Sequence, residues 1–258
     1  MKKLLLVLAG LLCMGAAHSA DRAADTLTIA AAADLTLCLD DLNAAFRKSH
    51  PDADLKSTTG SSGNFLAQIK NGAPFDVFLS ADMSYPRELV KAGQAVEDSL
   101  TLYATGHIVL WSTNPAVDVS KGLAVLNSEA VKKFAIANPE VAPYGRAAKA
   151  ALQSAGLWQQ VQPKLVSGEN IAQTAQFVQS GNVDAGIVAL SFVLSPKVVG
   201  AGKYYRIAED QYPVLEQGAV ITSKGAANPL ARAYIEFLRS PEARAVFDKY
   251  GFLLPAKS

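Results

Sequence analysis

Histidine and cysteine are scarce in this chain: its 258 residues include three of the first and two of the second. There is no His-x-x-x-His pair, no paired cysteines and no cluster of carboxylates, so the spacing marks no metal site. Net charge is equally sparse, at +1. Nothing in that balance suggests nucleic acid, which would want a basic stripe. No apolar run approaches the roughly 20 residues a membrane-spanning helix needs. What remains is a globular composition, 50% hydrophobic and 18% charged. It suits one large domain or two of about 110–130 residues, with a small molecule as partner.

The N-terminus stands apart. "MKKLLLVLAGLLCMGAAHSA" has two lysines, a short apolar run and then small residues, the pattern of a secretory signal peptide over residues 1–20. Cleavage is expected after Ser19 or Ala20. Leu12 precedes Cys13 where a lipid-attachment site wants a small residue, which speaks against a lipoprotein anchor. Removing the leader leaves 22 basic and 23 acidic residues and a single cysteine, Cys38. One cysteine forms no internal disulfide, even in an oxidising compartment. Cys38 lies in the helical pattern "LTLCLDDL" and is expected as a buried apolar residue.

The rest of the chain alternates. Short apolar strands are expected at 26–33, 53–59, 75–81, 107–112, 132–138, 163–168, 184–190 and 217–223. Helical periods fall at 35–50, 64–72, 84–92, 145–155, 170–181, 229–239 and 241–250. This α/β repetition predicts parallel sheets with helices on both faces. No low-complexity linker interrupts it, which predicts two lobes sharing a hinge. The chain is expected to cross between them near Tyr103–Ile108 and Asp210–Leu215. The first lobe is then discontinuous, residues 21–104 and 213–258, and the second is 105–212.

In such sheets ligands sit beyond the carboxyl ends of the strands, where helices start. Four junctions there carry small or polar residues: "AAADLT" (31–36), "TGSSGN" (59–64), "APYGRA" (142–147) and "SGENIA" (167–172). Singly each is an ordinary helix cap. Two from each lobe aimed at one point would hold an anion with backbone N–H groups alone, needing no lysine or arginine. Glycines let the backbone approach closely, and Ser61 or Ser62 adds a hydroxyl.

Catalytic patterns are weak beside this. His50 sits at a helix end and His107 opens an apolar strand. "GSSG" is not the Gly-x-Ser-x-Gly elbow of a serine hydrolase. A dyad of Ser62 with His107 is the one nucleophilic arrangement to weigh, and nothing in the spacing favours it. The chain is not expected to be an enzyme.

With these residues in view, the chain resembles the periplasmic molybdate-binding proteins of ABC importers. The resemblance runs through "AAADLT", "GSSGNFLAQIKNGAPFDVFLSAD" (60–82), "IANPEVAPYGRAAKAAL" (136–152), "SGENIAQTAQFVQSGNVDAGIVAL" (167–190) and "KYGFLLP" (249–255). It implies the two-lobed type II periplasmic binding-protein fold, with molybdate or tungstate in the cleft. It also implies no cofactor, a monomer, and delivery to an ABC permease. By position it implicates Asp34, Ser62, Tyr144 and the amide of Ile171 in holding the oxyanion, with Ser61, Asn170 and Ala189 as additional candidates. Some members place a tyrosine just after the "GIV" strand, where this chain has Ala189; Tyr144 is expected to supply the missing hydroxyl.

Asp34 departs from the serine that many members have. A carboxylate about 4 Å from an anion costs about 1 kcal/mol even in bulk water, and more when dry. Three readings stay open. Asp34 caps the following helix with its side chain turned away and lends only its N–H; or it accepts the proton of a protonated oxyanion such as hydrogen phosphate; or it pairs with a cation or completes a metal-centred coordination. A receptor for phosphate or sulfate is the alternative function.

Overall fold

The structure, a computed structural model, describes residues 26–255. The expected signal peptide, its expected cleavage site and Cys13 lie outside the described residues.

Two five-stranded sheets organise the chain. The elements of the first segment are β1 (Thr26–Ala32), α1 (Leu39–Arg47), β2 (Asp54–Gly60), α2 (Ser62–Lys70), β3 (Val77–Ser80), α3 (Ser84–Lys91) and β4 (Thr101–Gly106). The middle segment holds β5 (Ile108–Ser112), β6 (Phe134–Ala137), α4 (Pro143–Ser154), the single turn α5 (Trp158–Val161), β7 (Leu165–Gly168), α6 (Ile171–Gln179), β8 (Ala185–Ala189), the short α7 (Leu190–Leu194) and β9 (Lys203–Arg206). The chain closes with β10 (Leu215–Ile221), α8 (Pro229–Phe237) and α9 (Pro241–Lys249).

The first sheet has the order β2-β1-β3-β10-β4 and the second β7-β6-β8-β5-β9. The chain passes from one to the other between Gly106 and Ile108, and back between Arg206 and Leu215. A lobe boundary at 104/105 cuts into β4, which stays paired with β10 as far as Gly106.

The expectation of parallel sheets needs correction. β1 runs parallel to β2 and β3, and β6 to β7 and β8. However, β10 is antiparallel to β3 and β4, and β5 is antiparallel to β8 and β9. Each reversed strand is the first after a crossing. A parallel neighbour requires a crossover connection of a dozen or more residues. A strand entering directly from the other lobe starts at the hinge end and must run away from it.

The helix expected over 35–50 is split. A 3-10 turn at Ala33–Leu35 comes first, and Thr36 bonds back to the Ala33 carbonyl through both its N–H and its hydroxyl. α1 therefore starts only at Leu39. The apolar face still works as one stripe: Leu35, Leu39, Leu42 and Phe46 are all buried, with Cys38 among them. α8 and α9 return to the first lobe, where Tyr234 and Phe247 share a core with Leu27 and Leu42. Strands β4 and β9 lie outside the expected set. β9 is an edge strand, "KYYR", with all four residues exposed, so it has no buried alternation to read.

Candidate functional site

The four strand-to-helix junctions meet. They enclose a small cavity of about 10 Å³, partly open to solvent, lined by Asp34, Ser61, Ser62, Tyr144, Asn170 and Ile171 among others. No lysine, arginine or histidine lines it. Ala189, at the end of β8, is fully buried and lies outside that lining.

Two helices of opposite lobes present their first turns here. α2 begins at Ser62, and α6 at Ile171. Asn170 caps α6: its side-chain oxygen accepts from the N–H groups of Ala172 and Gln173, each at 3.0 Å. That commits Asn170 to structure and leaves the N–H of Ile171 with no acceptor among the described residues. The N–H of Ser62 is free in the same way. These unpaired first-turn amides carry the positive end of each helix dipole.

The two serines divide. Ser62 Oγ accepts from the Ala81 N–H at 3.0 Å, so its own proton remains free to donate. Ser61 Oγ instead donates to the Val141 carbonyl of the second lobe, which also accepts from the Gly63 N–H at 3.0 Å. Gly63 is needed for this approach, since a Cβ there would stand 2.6 Å from the Val141 oxygen.

Asp34 is buried at 1% exposure. Its side chain caps nothing, because the 3-10 turn that contains it has no side-chain cap. The capping reading is thereby corrected, and no cation bonds to the carboxyl among the described residues. Asp34 Oδ2 accepts from the Tyr144 hydroxyl at 3.0 Å, while Oδ1 is buried without a partner. Burial pushes the carboxyl up to about 7, with the Tyr144 hydrogen bond pulling less strongly the other way. Tyr144 therefore spends its hydroxyl proton on Asp34. Tyr144 still lines the cavity, with its hydroxyl beside the carboxyl.

A chain of hydrogen bonds continues behind that pair. Gln217 Nε2 donates to the Tyr144 hydroxyl at 3.3 Å, and Gln217 Oε1 accepts from the Tyr103 hydroxyl at 3.1 Å. Gln217 lies on β10, Tyr103 on β4 and Tyr144 on α4, so the chain spans the hinge. The sequence reading missed Gln217 and Tyr103. A glutamine in the apolar run "QGAVI" was the available signal, and it is fully buried.

The lobes are closed on one another. Besides the Ser61 and Asp34 contacts, Ser191 Oγ donates to the Asp34 carbonyl at 2.7 Å. At the rim, Arg146 of α4 reaches Asp82 at 2.6 Å and the Tyr85 hydroxyl at 2.7 Å. Ala32, Ala33 and Ala81 of the first lobe join the buried cluster that holds Ala142 and Tyr144 of the second. His107 pairs instead with Glu209 at 3.3 Å and does not line the cavity, so no Ser62–His107 dyad forms. No group of three metal-ligating side chains occurs among the described residues.

A family model for bacterial extracellular solute-binding proteins matches residues 27–253. The chain is 42% identical over 224 residues to the molybdate-binding protein ModA of Azotobacter vinelandii, covering 87% of this chain and 88% of that one. It is 43% identical over 194 residues to the molybdate-binding protein ModA of Rhodobacter capsulatus, covering 75% of each. In three dimensions it matches the Azotobacter vinelandii periplasmic molybdate-binding protein with a TM-score of 0.83 at 33% identity, over 89% of this chain and 99% of that chain. The architecture is the two-lobed type II fold of periplasmic binding proteins.

Proposed function

The chain belongs to the bacterial extracellular solute-binding proteins, and from that premise we propose that it captures molybdate in the periplasm and delivers it to the membrane subunits of an ABC importer. One observation carries the reading. Helix starts from both lobes converge on a small cavity lined by hydroxyls and free amides and by no basic side chain. Donors of that kind stabilise a tetrahedral oxyanion at roughly 1.5–3 kcal/mol for each hydrogen bond, against the cost of stripping its water. Ser62 would donate its N–H and hydroxyl from the first lobe, and Ile171 its N–H from the second. An anion held between them gives the lobes a reason to close.

Tungstate, with the same charge and shape, is accepted at the same donors. Sulfate presents the same hydrogen-bonding pattern, so rejecting it falls to the size of the cavity. The protein acts as a monomer that binds and releases its anion unchanged, and Ser62 forms no dyad with His107.

Calorimetric titration of the ligand-stripped mature protein with molybdate, tungstate, sulfate and phosphate tests this. Heat from the first two and silence from the others is expected. A phosphate or sulfate response stronger than that to molybdate overturns the assignment.

A further inference from the structure

We propose that Asp34 is the specificity-determining residue of the anion site: its carboxyl carries a proton in the bound state, so each oxyanion captured takes up one proton. This rests on the anion reading above. Asp34 lines the cavity at the end of β1, and its two oxygens are unequal. Oδ2 is satisfied by the Tyr144 hydroxyl; Oδ1 is buried and has no partner. A buried acceptor left bare is costly. Protonated, the same oxygen becomes a donor, and an oxyanion in the cavity supplies the acceptor it lacks. Ionised, it would set a second negative charge against the ligand in a dry site.

Besides Tyr144, only the neutral Gln217 amide and Asp34's own backbone N–H help to hold that charge, and no cationic side chain among the described residues bonds to it. Tyr144 from α4 and Tyr103 from β4 face the carboxyl as neutral phenols, as burial holds both well above the usual tyrosine range. Burial likewise keeps the Cys38 thiol neutral. Neither α6 nor α7, both packed on the turn, has an ionisable side chain. β2 meets the end of β1 through Gly60, and its charged residues Asp54 and Lys56 pair at the strand's other end. On α1, Asp40 and Asp41 pair outward with Lys197 and Lys249. Arg146 is engaged by Asp82 and Tyr85 at the rim. Burial already raises the Asp34 carboxyl to about 7, so the proton is within reach at neutral pH.

The consequence is selectivity by protonation state. A protonated Asp34 donates to an oxyanion with bare oxygens, such as molybdate. Hydrogen phosphate brings its own proton and needs an acceptor, which only the ionised carboxyl provides.

The test is molybdate titration of the wild-type mature protein by calorimetry at about pH 8, in buffers of different ionisation enthalpy, so that the slope counts protons. Uptake approaching one proton per anion is expected, with affinity falling about tenfold per pH unit above neutrality. In Asp34→Asn the amide can donate but not titrate, so both the uptake and the slope should vanish. Tight molybdate binding by the wild type with no proton uptake overturns the inference and leaves the function standing. Phosphate bound without proton uptake in preference to molybdate, or no oxyanion bound at all, overturns both. The wild-type proton count decides the matter even if the asparagine variant fails to fold.

Discussion

Gly106 lies directly against the Tyr144 hydroxyl: a Cβ at position 106 would overlap that oxygen and approach Gln217 Nε2 to 2.8 Å. Gly106 ends β4 at the point where the chain leaves the first lobe, and Tyr144 belongs to the second. The absence of a side chain at the hinge is therefore what lets the Tyr103–Gln217–Tyr144–Asp34 chain assemble. Gly106→Ala must push Tyr144 aside. The expected result is a loss of molybdate affinity of about tenfold or more, equivalent to one hydrogen bond of the network. Calorimetry reads the loss, and far-UV circular dichroism should show the two sheets intact. Undiminished affinity in this variant would mean that closure does not depend on the contact.

The rim clamp acts on a different quantity. Arg146 bonds Asp82 and Tyr85 across the cleft, but both charged side chains keep about a third of their surface exposed. Solvent screening limits such a pair to about 1 kcal/mol or less. Arg146→Ala should thus weaken binding by no more than about fivefold, and the change should appear in the dissociation rate, because the clamp forms only when the lobes meet. Stopped-flow displacement of bound molybdate measures it. A change confined to the association rate would place Arg146 in steering rather than in closure.

These residues also show what the sequence could and could not disclose. The junctions "TGSSGN" and "SGENIA" are legible because small residues after an apolar strand announce a helix start, whatever the rest of the chain does. Their meeting at one cavity followed from the rule that ligands lie beyond strand ends. The pairing of Asp34 with Tyr144 joins positions 110 apart. Spacing carries no trace of it, and Asp34 alone reads as a cap. The reversal of β5 and β10 was hidden for a related reason. Strand direction depends on which lobe a strand arrives from, and local periodicity does not encode that. β9 left no signal because all four of its residues face solvent.

The buried carboxyl also sets a pH dependence of stability. Its folded value of about 7 lies above the ordinary 3.8. Between those values the folded protein holds a proton that the unfolded chain has released, so stability falls as pH rises through that window. Below it the group contributes no slope, and above it the cost is fully present. Thermal melts of ligand-free protein from about pH 4 to pH 8 should show this decline, and Asp34→Asn should flatten it. Identical profiles for the two proteins would show that the carboxyl is hydrated in the free form and buried only on closure.

Ser62 joins the site to the fold, and its substitution separates the two roles. Its hydroxyl accepts from the Ala81 N–H and keeps its own proton for the cavity. Ser62→Ala removes a donor to a charged ligand, worth roughly 1.5–3 kcal/mol or about a 10- to 150-fold loss in affinity. It also leaves the Ala81 amide unpaired, at a cost of about 1–3 kcal/mol in ligand-free stability. Ser62→Cys keeps a weak acceptor for that amide while offering the anion only a poor thiol donor. Melting temperature should therefore recover in part in the cysteine variant, whereas molybdate affinity should not. If both recovered together, the affinity loss in alanine would be a consequence of the loosened Ala81 loop, and the hydroxyl would not be a ligand donor at all.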